Sequence, residues 1–208
     1  MAITSRPTFL LLLLLLGLPS LLVISSATAA TTSTSASASG SAATSFIKSS
    51  CTATRFPALC VQSLSSYASS IQQNPRQLAQ AALSVSLVRA QAAKDFVAKS
   101  TKFRGLKARE FAAIKDCLDE MDDTVDRLSK SMAEMKGMGK SNGQEFLWHV
   151  SNVQTWVSAA LTDENTCFDG YSSKTLDGRL KASIRVRVLN VAQVTSNALA
   201  LVNRFASN

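Results

Sequence analysis

Four cysteines and a single histidine are the side chains of this sequence best suited to covalent or metal chemistry. A zinc site needs closely spaced ligands such as C-x-x-C, commonly together with histidines. The closest two cysteines here are nine positions apart and His149 has no histidine partner, so zinc is disfavoured. An even number of cysteines favours disulfides, and four cysteines allow three pairings. The cysteines are Cys51, Cys60, Cys117 and Cys167.

A run of acidic side chains offers a second kind of chemistry. Paired carboxylates can act as acid and base, and converging carboxylates bind calcium. On a regular helix these side chains point outward into water without converging, so we interpret them as a solvated face or as charges that meet a partner. His149 is interpreted as a packed or hydrogen-bonded residue and not as a general base. The acidic residues are Asp116, Asp119, Glu120, Asp123 and Asp126.

No further motif indicates a reaction. The sequence has no Gly-rich phosphate-binding loop and no Ser, His and Asp grouping above chance. The net charge is +8, but the basic residues are scattered, which gives little support to a nucleic-acid partner. We therefore expect a protein that is not an enzyme and that uses no catalytic residue, cofactor or metal.

The stretch from Phe146 to Thr162 combines an apolar helical stripe with an uncharged polar one. Phe146, Val150, Val153, Val157, Ala160 and Leu161 recur at intervals of three and four, as in a core helix. The opposite side has no charge between Ser151 and Thr162, and such a face is typical of a surface for a partner. The alternative is an ordinary surface on which Trp148 packs against the hairpin or a loop. The opposite side consists of Trp148, Ser151, Asn152, Thr155, Ser158, Ala159 and Thr162.

Helical periodicity also precedes this stretch. Two short helices are predicted within 46–73, with a break near Pro57. Asn74 is a suitable N-cap ahead of Pro75, and the first long helix is predicted to run from there to Gly105. Its predicted core residues are Leu78, Ala81, Val85, Val88, Ala92, Phe96 and Phe103.

Three further long amphipathic helices are predicted, at 107–136, at 144–162 and after Asp177. No alternation typical of strands occurs. The fold class is therefore predicted to be all-α, with an up-down-up-down four-helix bundle at 74–208. The helical hairpin at 46–73 extends the bundle at its N-terminus, so that 46–208 form one domain.

The N-terminal segment has the pattern of a secretory signal peptide over residues 1–29. Arg6 provides the positive region, residues 10–24 the apolar region and residues 27–29, Ala-Thr-Ala, the cleavage site. Residues 30–45 are mostly Ser, Thr and Ala and are predicted to be a flexible leader. No later apolar run approaches the roughly 20 residues of a membrane-spanning helix. We expect a secreted, extracellular protein that does not enter a membrane.

Several stretches of the chain resemble a known family. They are TRFPALC after Cys51, LKAREFAAIKDCLDEMDDTVDRLSKSMAEM, VQTWVSAALTDENTCFDGY and VTSNALALVNRF. Together they are similar to the plant invertase and pectin methylesterase inhibitor family, and the similarity covers residues 46–206. The resemblance implies a four-helix bundle with an N-terminal hairpin and bridges from Cys51 to Cys60 and from Cys117 to Cys167. It also implies a protein of the apoplast and cell wall that inhibits a carbohydrate-active enzyme by forming a stoichiometric complex.

The family has two branches, which inhibit pectin methylesterase and acid invertase. Invertase inhibitors resemble one another in a Pro-Lys-Phe element, whereas this chain has Gly143-Gln144-Glu145-Phe146 at that place. The segment TWVSAALTDENTC is also closer to the methylesterase branch. We therefore expect a free inhibitor, monomeric on its own, that binds pectin methylesterase in a 1:1 complex. Inhibition of acid invertase is the alternative, and a secreted helical carrier is a second one, although such plant carriers usually have eight cysteines.

The inhibitory surface is predicted to lie on the outer side of the third long helix, next to acidic residues of the second. A helical bundle cannot easily send a side chain deep into a pocket, so it should block a cleft with a rigid face. The predicted contact residues are Trp148, Ser151, Thr155, Ser158 and Thr162, with Asp119, Asp123 and Asp126 as charges at the rim.

Overall fold

The structure of the protein is a computed structural model that describes residues 32–171 and 178–207. The predicted signal peptide at 1–29 lies outside the described residues. Within them the chain is helical, without strands, and no helix there is long and apolar enough to cross a bilayer. The helices are α1 (Thr32–Cys51), α2 (Pro57–Leu64), α3 (Ala68–Ile71), α4 (Pro75–Ser100), α5 (Ala108–Gly137), α6 (Gly143–Gly170) and α7 (Arg179–Ala206).

The four long helices, α4 to α7, form a bundle. Helix α4 packs against α5 and α7, and α6 packs against the same two helices. The short connections 101–107 and 138–142 join antiparallel neighbours, as in an up-down-up-down bundle. The all-α fold predicted from the helical periodicity is confirmed.

Helix α4 begins where the sequence predicts. The Oδ1 atom of Asn74 accepts hydrogen bonds from the backbone N–H groups of Arg76 (2.9 Å) and Gln77 (3.1 Å), and Pro75 occupies the first helical position. Asn74 thereby satisfies two of the N–H groups that every helix leaves unpaired at its start.

Three residues assigned to the core of α4, which are Val88, Ala92 and Phe103, are on the surface instead. Val88 is 59% exposed and Phe103 is 57% exposed. In place of Val88 the helix buries small side chains, those of Ser86, Ala90 and Ala93, which allow a neighbouring helix to approach closely. Phe103 follows the last residue of α4, so helical periodicity no longer decides its direction.

Helices α1 to α3 form the N-terminal hairpin. Helix α1 begins at Thr32, within the segment 30–45 whose composition predicts a flexible leader. The alanines of this segment have high helix propensity, and further along α1 Ile47 is fully buried. The hairpin is attached to α7 by Asn197, which accepts a hydrogen bond from the Phe56 N–H and donates one to the Phe56 carbonyl, both 3.0 Å.

Two disulfides connect the helices. One joins Cys51 to Cys60 within the hairpin, and the other joins Cys117 of α5 to Cys167 of α6, whose Cα atoms are 4.5 Å apart. These are the pairings that the family resemblance implies. The second bridge joins residues 50 positions apart. In the chain-entropy model, a crosslink over a loop of that length stabilises the folded state by about 4 kcal/mol. It therefore holds the C-terminal part of α6 against α5.

Candidate partner-binding face

Helix α6 is longer than its periodicity predicted, because it continues past Thr162 to Gly170. Its start is positioned by the turn after α5: Gly139 in this turn and Gly143, the first residue of α6, adopt positive φ angles of 53° and 55°. Arg76 of α4 donates hydrogen bonds to carbonyl groups at this turn, those of Met135 and Gly139. The turn is thus connected to the beginning of α4.

The predicted contact residues of α6 share one exposed side of the helix. We call this surface the α6 face; it consists of Trp148, Ser151, Thr155, Ser158 and Thr162, all of them exposed. From the first to the last residue it extends over about 21 Å, at 1.5 Å per residue. The apolar residues Val150, Val153, Val157 and Ala160 are buried on the opposite side. The helix therefore separates a core side from an uncharged outer side.

Trp148 is the largest side chain of the α6 face. It is 61% exposed, and its ring lies edge-on to the ring of His149, with the two centres 5.3 Å apart. A side chain exposed to this extent has an apolar area that a partner can cover. Tryptophan is among the residues that contribute most to binding when they become buried in an interface.

The seam between α5 and α6 is formed by charged and polar side chains that hydrogen bond to each other. Glu134 of α5 accepts a hydrogen bond from Asn152 Nδ2 and pairs with His149 Nδ1, both at 2.8 Å. Partial burial acts to raise the pKa of Glu134, but these two hydrogen bonds outweigh it and the pKa is lowered. Further along, Arg127 Nε of α5 lies 2.6 Å from Asp163 Oδ2 of α6. Asn152, predicted on the outer side, is half-buried in this seam.

The three predicted rim charges are exposed on α5, beside the seam. Asp123 lies 4.0 Å from Arg127, and Asp126 lies 2.6 Å from Lys130. Within the described part of the chain Asp119 has no ion-pair partner. Since Arg127 also contacts Asp163, the acidic row of α5 meets the end of the α6 face.

Glu120 differs from the other carboxylates of the acidic run, because it is half-buried whereas they are exposed. Burial raises its pKa, and the nearby Asp163 and Asp123 raise it further. Across the described residues no group of three or more His, Cys, Asp or Glu side chains is arranged to hold a metal ion. His149 is hydrogen bonded, as its interpretation from the sequence proposed.

A buried carboxyl group on α6 was missed by the sequence reasoning. Glu164 is 0% exposed, its Oε1 accepts a hydrogen bond of 2.8 Å from Thr195 Oγ1 of α7, and its Oε2 has no hydrogen-bond partner. Burial raises its pKa to about 8. Its burial could have been predicted from the helical spacing, because residues 157, 160, 164 and 167 continue the buried stripe of α6 at steps of three and four.

Comparison with known proteins identifies the class to which this bundle belongs. Residues 45–201 match the model of the plant invertase/pectin methylesterase inhibitor family. A "21 kDa protein" of Daucus carota is 57% identical over 165 residues, which cover 79% of this chain and 86% of the carrot protein. "Pectinesterase inhibitor 11" of Arabidopsis thaliana is 52% identical over 165 residues, which cover 79% of this chain and 82% of the relative.

A solved structure shows the same fold. The crystal structure of mutant form A of a pectin methylesterase inhibitor from Arabidopsis matches with a TM-score of 0.60 at 20% identity, over 74% of this chain and 92% of that one. The chain belongs to the plant invertase/pectin methylesterase inhibitor family. The family is described as one of inhibitors and the Arabidopsis relative is named as an inhibitor, in agreement with the prediction that this chain is not an enzyme.

We predict that Glu164 makes the stability of the protein depend on pH. Its pKa is raised in the folded state from 4.5 to about 8, so the folded protein keeps a proton that the unfolded chain releases. Its contribution should be complete below about pH 4.5 and should be lost as the pH rises to about 8, by on the order of 5 kcal/mol. Urea unfolding of the parent and of Glu164→Gln at pH 4.5, 6 and 8 measures this loss.

The variant should retain its stability at pH 8 better than the parent does. Glu145→Gln, at an exposed position of the same helix, serves as the control and should follow the parent. Equal pH profiles of the parent and Glu164→Gln would show that the buried carboxyl group does not govern this dependence.

Proposed function

We propose that this protein inhibits pectin methylesterase by covering the substrate cleft of the enzyme with the α6 face, in a 1:1 complex. The observation that supports this most is the exposed, uncharged α6 face on a helix that is bound to α5 by a disulfide, an ion pair and hydrogen bonds. The 52% identity to a relative named as a pectinesterase inhibitor supports this enzyme as the target. The absence of the Pro-Lys pair before Phe146 favours the same branch of the family.

The α6 face is suited to this role on energetic grounds. Hydroxyl groups of Ser151, Thr155 and Ser158 cost less to remove from water than charged groups do. They can also exchange their hydrogen bonds with water for hydrogen bonds with polar groups of the enzyme. Trp148 adds apolar area at one end of the face. Because α6 is held along its length, little conformational entropy is lost when the face binds.

The acidic residues beside the α6 face have a different role in this proposal. Asp119, Asp123 and Asp126 are exposed, so water and salt weaken their contribution to affinity. Exposed charges at a rim mainly accelerate the encounter with a partner of opposite charge. We assign them to steering a basic enzyme towards the α6 face.

The proposal also specifies where the protein acts and its oligomeric state in the absence of the enzyme. The signal pattern at residues 1–29 supports secretion into the cell wall, where the substrate of a pectin methylesterase occurs. The two disulfides within the described chain agree with an oxidising, extracellular compartment. The free inhibitor is taken to be a monomer, whose α6 face is available to the enzyme.

The first prediction from this proposal concerns the target enzyme. The protein should slow the release of methanol from pectin by pectin methylesterase at mildly acidic pH and leave acid invertase unaffected. Titration of each enzyme with the inhibitor measures both effects and gives the stoichiometry, expected as one to one. Inhibition of invertase alone would place the protein in the other branch of its family.

The second prediction concerns the α6 face itself. Thr155→Lys adds a charge to the centre of the face and Trp148→Ala removes its largest side chain, so each should weaken inhibition by about 1 to 4 kcal/mol. Matched controls are Thr52→Lys, which makes the same change at another exposed threonine, and Phe103→Ala, which removes another exposed aromatic side chain; both positions lie away from α6. Inhibition constants are measured with circular dichroism to verify folding. If both α6 variants are folded and inhibit like the parent, the interface lies elsewhere.

The third prediction separates the rim charges from the face. Replacing Asp119, Asp123 and Asp126 by Asn should slow association with the enzyme about tenfold at low salt and leave dissociation nearly unchanged. Stopped-flow binding at several salt concentrations measures both rates. The single change Asp119→Asn is compared with Asp95→Asn on α4, which should have no such effect. An effect confined to the dissociation rate would instead indicate direct contacts.

A further inference from the structure

The ionisable residues of the bundle are divided between two sides. Helices α5 and α6 contain twelve of the 14 acidic residues of the chain and five Lys or Arg residues. Helices α4 and α7 contain nine Lys or Arg residues and one acidic residue, Asp95. Because α5 packs against α6 and α4 packs against α7, the bundle has an acidic side and a basic side.

A groove of about 480 Å³ lies on the basic side, between α4 and α7. Arg89 and Ala92 of α4 line it together with Val186, Arg187 and Asn190 of α7. Val186 is 67% exposed, which leaves an apolar wall open to solvent. The groove therefore combines two guanidinium groups with apolar surface.

The two guanidinium groups are held in place by neutral partners. Arg89 donates to Asn190 Oδ1 and to Ser63 Oγ, both at 2.8 Å. The guanidinium carbon of Arg187 lies 3.8 Å from the centre of the Phe96 ring, a cation–π contact. In the part of the chain that the structure describes, neither arginine forms an ion pair with a carboxylate. Both remain positioned to bind an anion.

Burial lowers the pKa of Arg89, and the nearby Tyr67 only partly opposes this. A lowered pKa is expected of a cation that burial has partly removed from water and that has no anionic partner. Guanidinium groups remain protonated in proteins, so Arg89 keeps its charge. Asp95, the one acidic residue of α4, is exposed and forms no ion pair among the described residues.

We propose that the α4–α7 groove binds a polyuronate chain, the de-esterified form of pectin. Planar guanidinium groups recognise carboxylates through paired hydrogen bonds, and the exposed valine can pack against the apolar face of a sugar ring. The choice of polymer rests on the proposed function, because a pectin methylesterase leaves a carboxylate on each sugar that it de-esterifies.

The groove and the α6 face do not compete for the same surface. Helix α6 packs against α5 and α7, whereas the groove lies between α7 and α4. The inhibitor can therefore bind the enzyme with its α6 face while its basic side holds the polymer that the enzyme has de-esterified. This arrangement would keep the inhibitor where the enzyme has acted.

Isothermal titration calorimetry tests the proposal. The mature protein, without any enzyme, is titrated with polygalacturonate and, separately, with the same polymer in methyl-esterified form, and the affinity for each is measured. Binding is expected to polygalacturonate and to decline with salt, and no binding is expected to the esterified polymer. Arg187→Gln should weaken binding roughly fivefold. Val186→Glu, which adds a negative charge at an exposed position, should weaken it further. Lys130→Gln on α5 removes the same charge from the acidic side and should leave binding unchanged.

Three results would overturn the proposal. They are the absence of binding to polygalacturonate, an equal loss of binding in Lys130→Gln and Arg187→Gln, and equally tight binding of polyglutamate. The last would indicate a site for acidic protein segments. Assays of pectin methylesterase are run separately, so a protein that binds polygalacturonate but does not inhibit the enzyme contradicts only the proposed function. A protein that inhibits but does not bind the polymer contradicts only this inference.

Discussion

The attachment of α6 to α5 is the constraint on which the proposed activity depends. Near one end of α6 the Cys117–Cys167 bridge fixes the helix covalently, and near the other end Glu134 binds His149 and Asn152. Between them Arg127 pairs with Asp163, which is only 11% exposed at its side chain. An ion pair that is partly removed from water must keep a favourable geometry to offset the lost hydration, so it restricts the relative position of the two helices more than a surface pair does. The outer side of α6 is consequently a rigid surface, although its exposed side chains do not themselves hold the helix in place.

The attachment of α6 to α5 also contributes to the distribution of charge over the molecule. Two of the polar groups that fasten α6 to α5, Glu134 and Asp163, are acidic, and they add to the exposed aspartates of α5. Helices α4 and α7 have one acidic residue against nine Lys or Arg residues, and there Arg89 and Arg187 are held by hydrogen bonds and an aromatic ring and not by carboxylates. A protein with oppositely charged sides can bind two partners of opposite charge at the same time. In our proposals these partners are the enzyme and the polymer that it produces.

Most of the fold could be predicted because its signals are local. The Asn74-Pro75 start of α4 and the apolar spacing of α6 depend only on neighbouring residues, and the structure has both. Val88 was misassigned because several stripes of α4 satisfy helical spacing, and only the position of the other helices decides which one is buried. Glu164 was missed because a charged residue type argues against burial unless its hydrogen-bond partner on another helix, here Thr195, is known. The early start of α1 likewise could not be inferred from a composition typical of a flexible segment.

In this proposal the α6 face, bordered by the acidic residues of α5, is the surface of the bundle that contacts pectin methylesterase. Hydrogen–deuterium exchange of the inhibitor, alone and mixed with a stoichiometric amount of the enzyme, tests this claim most directly. Added protection is expected to be concentrated in residues 148–162 and in the adjoining part of α5 from 119 to 127, while α4 and the first half of α7 exchange as in the free protein. Protection concentrated in α4 and α7, with α6 unchanged, would contradict it.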